Sequence, residues 1–164
     1  MKLITSNLLS TATTTVTFSI PTQYFGVELR ICGRTTTGGY YTSPIELSVN
    51  GSLITGVQYR TMRNYPAGNF NGYNGTSSQV VNMGGPLATT AAAYFRLYGI
   101  QSTTNKSFEG FNYPEGNVAG GDSFTLGVGG VFSSSAAITS ISLTPGSGYG
   151  NFESGTRFDL YGIE

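Results

Sequence analysis

The sequence predicts an all-β fold, an antiparallel β-sandwich or jelly roll of about nine short strands. Three observations carry that expectation. Tyr and Phe alone raise the aromatic share to 13% while charged residues make up only 10%. Gly occupies 24 of the 164 positions, which suits many strands joined by tight turns. Finally, apolar and polar residues alternate with a period of two along most of the chain, and helical spacing is almost absent.

The elements follow in order. The chain reads as a single β-sandwich domain spanning 1–164, with residues 1–12 as an N-terminal arm of it. Thr15 to Ile20 alternates, with Val16, Phe18 and Ile20 facing inward, and Pro21 ends the run because it has no N–H for a ladder. Gly26 to Arg34 places Val27, Leu29 and Ile31 on one face and Cys32 on the other, as a small semi-buried residue. Pro44 to Asn50 alternates again through Ile45, Leu47 and Val49. Asn50-Gly51 then tolerates positive φ at both positions and marks a hairpin whose partner runs from Leu53 to about Met62. Asn64 to Pro86 reads as one long irregular stretch, rich in Asn, Gly and Tyr. Strand patterns resume at 94–100, 107–113, 123–132, 138–144 and 156–163. Phe95-Arg96-Leu97-Tyr98-Gly99-Ile100 is echoed by Phe158-Asp159-Leu160-Tyr161-Gly162-Ile163. The echo is either coincidence between strands of similar composition or a sign of equivalent environments, such as facing sheets.

Composition also bounds the chemistry. With no histidine and one cysteine, histidine-based triads, histidine or cysteine-cluster metal sites and an internal disulfide are excluded. Gly146-Ser147-Gly148-Tyr149-Gly150 precedes a strand pattern rather than a helix, so it reads as a turn and not a phosphate loop. Paired carboxylates could in principle cleave glycosides, with Glu109, Glu115, Asp122 and Glu153 as the acids to weigh, but each reads better as a solvated loop acid. The expectation is a protein that is not an enzyme and needs no cofactor. Formal net charge is zero and no basic patch can be read, which argues against nucleic-acid or charge-driven membrane binding. The first residues are too polar for a signal-peptide core, and no apolar run is long enough to span a bilayer. So few Lys and Glu also leave sheet edges poorly protected, unless copies of the chain or a larger assembly cover them.

One segment has the composition of a binding loop. Tyr65, Asn69, Phe70, Asn71, Tyr73 and Asn74 combine aromatic faces with amide donors and acceptors. These residues suit a protein contact or a host glycan, or they tuck back onto the sandwich.

Three stretches together resemble a widespread family of small phage virion modules. The first holds Val16-x-Phe18, Ile20-Pro21, Leu29-Arg30 and Arg34 with the Thr run that follows it. The second is the hairpin Ile45-x-Leu47-x-Val49-Asn50-Gly51. The third and most specific is Ile138-Thr139-Ser140-Ile141-x-Leu143, then Gly150-Asn151-Phe152, then Gly155-Thr156-x-Phe158-x-Leu160-Tyr161-Gly162-Ile163. Both ends of the chain follow this pattern, and the middle, roughly Gln58 to Val118, departs from it. The resemblance implies a jelly-roll β-sandwich on the surface of a phage particle, made in the host cytoplasm, with no catalytic residues to carry over. The expected role is a capsid decoration, or cement, protein that binds the major capsid protein as a symmetric homo-oligomer, a trimer. The alternative is a tail-fibre or receptor-binding module that recognises a host-surface glycan.

Overall fold

A computed structural model describes residues 1–37, 42–55, 57–64, 70–77, 79–84, 90–115 and 125–164. Among them run the strands β1 (Lys2–Leu8), β2 (Val16–Ser19), β3 (Gly26–Cys32), β4 (Thr42–Val49), β5 (Ser52–Leu53), β6 (Val57–Asn64) and β7 (Phe70–Ser77). They continue with β8 (Gln79–Gly84), β9 (Thr90–Tyr98), β10 (Asn105–Glu115), β11 (Thr125–Ser133), β12 (Ser140–Pro145) and β13 (Arg157–Ile163). No helix occurs among the described residues. The strands form two antiparallel sheets. The large one has the order β1-β13-β3-β9-β10-β11-β6-β7, and the small one β2-β12-β4-β5, with β8 also paired to β4. The all-β expectation therefore holds, with more strands than the sequence pattern resolved.

The core forms because the period-two residues of both sheets enter one cluster. Val16, Phe18, Ile45, Leu47, Ile141 and Leu143 come from the small sheet, and Val27, Leu29, Phe95, Leu97, Phe158 and Leu160 from the large one. β12 and β13 show half-buried alternation along their whole length, as expected of strands with one face on a core. Phe152, in the link between them, packs edge-on against Phe158 with ring centroids 5.1 Å apart. Each such fully buried side chain contributes about 1.5–3 kcal/mol of burial free energy.

Several elements differ from the sequence reading. Lys2–Leu8, read as part of an arm, is an edge strand of the large sheet paired with β13. Asn50 and Gly51 do adopt positive φ, at 49° and 80°. The hairpin they close is short, however, because β5 has two residues and the next strand, β6, joins the other sheet. The Asn50 amide fastens this turn to the small sheet: its oxygen accepts from the Thr139 N–H at 2.8 Å, and its nitrogen donates to the Ala137 carbonyl at 2.8 Å. The stretch from 64 to 86, read as irregular, contains β7 and β8. Their backbone ladders with β6 and β4 do not require the side-chain alternation that the sequence lacks there. The two echoed segments lie in the same sheet rather than in facing sheets, one on each side of β3. Cys32 is exposed rather than semi-buried, because it ends β3 on the face turned away from the core.

One buried cation has a structural task. Lys106 is fully buried, and its ammonium donates to the carbonyls of Thr104 at 3.0 Å and Ser134 at 2.9 Å, and to that of Ser102. It thereby ties the β9–β10 turn to the chain leaving β11. Burial pushes its pKa below the usual lysine range.

Candidate functional site

The residues that alternate with the core positions on β13, β3, β9 and β10 share the outer face of the large sheet. Strand register orders them into rows that cross the strands. Arg157, Cys32 and Ala92 form the first row, and Asp159, Arg30, Tyr94 and Phe111 the second. Tyr161, Glu28, Arg96 and Glu109 form the third, and Ile163, Gly26, Tyr98 and Ser107 the fourth. This face gathers arginine, tyrosine and carboxylate side chains from segments more than a hundred residues apart in the chain.

Glu28 is its centre. The residue is only 2% exposed although it stands on the outer face. Arg30 Nε donates to one carboxylate oxygen at 2.7 Å and Arg96 Nε to the other at 2.5 Å. Arg96 also donates from Nη1 to Glu109 at 2.9 Å, and the Tyr98 hydroxyl donates to the same oxygen at 3.0 Å. Burial alone would raise the Glu28 pKa, but the hydrogen bonds from Arg96 and Arg30 outweigh it and hold the carboxyl below its ordinary value. The Tyr98 hydroxyl is shifted upward by burial and by its bond to Glu109. Arg30 lies 4.6 Å from the Tyr161 ring centroid and Arg96 5.1 Å from that of Tyr94, both within cation–π range. Arg157 pairs with Asp159 at 2.9 Å; the Ser6 hydroxyl and Arg157 together hold that carboxyl low.

Two further features complete the face. Where Cys32 and Ala92 are too small to fill the first row, a depression of about 340 Å³ opens, bordered by Arg30, Tyr94 and Arg157. At the opposite end, Phe25 is 60% exposed, and its ring lies 6.5 Å from that of Tyr98. Leu3 and Val131 are also exposed; Leu3 pairs with Tyr161 of the third row and Val131 with Ser107 of the fourth. Aromatic and arginine side chains with paired charges make a surface suited to protein contact.

The residues singled out from the sequence lie elsewhere. Phe70, Asn71, Tyr73 and Asn74 are on β7, the terminal strand of the large sheet, three strands beyond β10. Tyr65 and Asn69 lie outside the described residues, as does Asp122. Of the acids weighed for glycoside cleavage, Glu109 belongs to the Arg96 network, and Glu153 pairs with Arg34 on the link between β12 and β13. A general acid of that chemistry needs a raised pKa, whereas the buried Glu28 is shifted the other way. Among the described residues no group of three or more His, Cys, Asp or Glu side chains could hold a metal ion, and no helix is long and apolar enough to cross a membrane. The sequence did carry one signal for the outer face: in each echoed segment a Tyr and a charged residue alternate with Phe and Leu. No protein-family model matches the chain, and no curated protein matches it in sequence.

Proposed function

We propose that the protein is a non-catalytic structural module of a bacteriophage particle, a jelly roll that decorates the head surface as a cement protein. Strand order is the observation that carries this reading. Eight strands pair as a ribbon folded back on itself: β1 with β13, β2 with β12, β3 with β9 and β4 with β8. Rolled up, the ribbon gives β1-β13-β3-β9 in one sheet and β2-β12-β4-β8 in the other. This nesting supports reading the domain as a jelly roll, an architecture recurrent in viral coats. β5 to β7 and β10 to β11 are then insertions, of which β6, β7, β10 and β11 widen the large sheet and β5 adds to the small one. The closing Ile138 to Ile163 signature supplies β12 and β13, which sit inside the two sheets, consistent with the virion resemblance. A face of paired charges and aromatics serves contact rather than proton transfer, which supports a non-enzymatic role. The partner is the major capsid protein, met by a symmetric homo-oligomer whose expected number is three.

The test is direct. Purified full-length protein added to mature heads that lack it should bind in a fixed stoichiometric ratio, and intact heads that take up none would refute the role. A second reading, a receptor-binding module for host glycan, is favoured by one observation. The inserted β6–β7 hairpin carries Phe70, Asn71, Tyr73 and Asn74 beyond the eight-strand nest. On that reading Phe70→Ala and Tyr73→Ala abolish adsorption to host cells while head binding is absent.

A further inference from the structure

We propose that the outer face of β13-β3-β9-β10 is a self-association surface whose occupant is a second copy of this chain. The two copies are related by a twofold axis lying parallel to the sheet and perpendicular to its strands. The inference deepens the reading of this face as a contact surface and does not depend on where the protein sits on a particle.

Rotation about such an axis keeps each strand over its own counterpart and reverses the rows, so the first lies over the fourth and the second over the third. On β3 the backbone position of Arg30 then lies over that of the partner copy's Glu28, whose carboxylate stays covered by the arginines of its own copy, and on β9 Tyr94 lies over the partner copy's Arg96. On β13, Asp159 opposes the partner copy's Tyr161, a hydroxyl that can donate to the carboxylate. At the ends the shapes also match: the depression over Cys32 and Ala92 receives Phe25 and Tyr98 of the partner copy, the aromatic side chains at the opposite end of β3 and β9. Each contact occurs twice, as an isologous interface requires.

Charge and size both favour a copy over a different partner. Glu28, Glu109 and Asp159 are balanced by Arg30, Arg96 and Arg157, so the face offers no net charge to steer an acidic or basic protein. The same neutrality removes the repulsion that a charged face would suffer against itself. The four strands β13 to β10, at about 4.8 Å spacing and seven residues long at about 3.3 Å each, span about 19 by 23 Å, and the flanking β1 and β11, with Leu3 and Val131 exposed on the same side, extend the face to about 29 by 23 Å. That is roughly 670 Å² per copy and about 1,300 Å² in total, inside the range of stable specific interfaces.

Sedimentation of the full-length protein across a concentration series tests this. The wild type should form dimers, or larger even-numbered assemblies if a threefold contact also exists. Phe25→Asp and Ala92→Arg both change exposed residues, so the far-UV circular dichroism and melting temperature should stay native. Each should weaken the association at least about tenfold. Facing sheets stand about 10 Å apart, too far for a disulfide, so Phe25→Cys is joined instead with a bismaleimide of matching span. The expected link runs from the introduced thiol to Cys32 of the partner copy. A monomer at every concentration, an assembly that neither variant alters, or a link between the two introduced thiols overturns the proposal. A protein that associates in this way but does not bind heads would refute the virion role and leave this inference standing.

Discussion

Replacing Arg96 by methionine tests how the outer face is held together. The substitution keeps an apolar stem over the sheet but deletes the donors to Glu28 at 2.5 Å and to Glu109 at 2.9 Å. Glu28 remains almost fully buried and keeps Arg30 as its partner. Removing one member of a buried ion pair costs about 3–5 kcal/mol. Arg96 is itself a third exposed and Glu109 slightly more so, and water can replace part of what is lost there. The expected loss at neutral pH is therefore about 2 kcal/mol, or about 4–8 °C in melting temperature for a chain of this size. The pH dependence has a definite sign. The folded Glu28 pKa lies below its ordinary value of 4.5, so its ionised form stabilises the protein above that pH. The contribution disappears as the pH falls through the lowered folded value. Denaturant titrations of wild type and Arg96→Met, in protein dilute enough to be monomeric, should show a gap at pH 7 that narrows at pH 3. An equal gap at both pH values, or none at pH 7, would refute the account of Glu28 as the centre of the network.

Other substitutions probe the scaffold. A Cβ on Gly162 would overlap the buried ring of Tyr24, so Gly162→Ala should cost about 1–3 kcal/mol by chemical denaturation, and Tyr24→Leu in the same chain should recover part of it. Asn50→Gly keeps the positive φ but loses the amide bonds to Ala137, Thr139 and Ser140, for about 1 kcal/mol. Asn50→Ala adds the left-handed strain and should cost about 2 kcal/mol, so equal losses would contradict the assigned turn. Lys106→Met leaves the carbonyls of Ser102, Thr104 and Ser134 without their buried donor. It should destabilise by about 2–3 kcal/mol and speed amide exchange in the β9–β10 turn.

Strands whose one face meets the core were legible in the sequence, because burial imposes alternation. Val16 to Ser19, Gly26 to Cys32, Ser140 to Pro145 and Arg157 to Ile163 all announce themselves in this way. β1 was not legible: its register shifts between Leu3 and Thr5, and the irregularity breaks the period that would reveal a strand. β7 was hidden by its Asn and Gly content, since its ladder with β6 depends on backbone groups that every residue supplies. The outer face was half visible. Each echoed segment shows a Tyr and a charge opposite its apolar residues, yet nothing local says that β3 lies between the two. That adjacency comes from pairings across well over sixty positions, and only it brings Arg96 and Glu28 together.

The central claim, that this is a structural protein of the phage head, is tested most directly by imaging purified particles at a resolution that locates their minor proteins, with mass-spectrometric counting of copies. Density for this two-sheet domain is expected on the outer head surface, in a fixed ratio to the major capsid protein set by capsid symmetry. Purified particles that lack the chain would contradict it, as would a few copies confined to the tail.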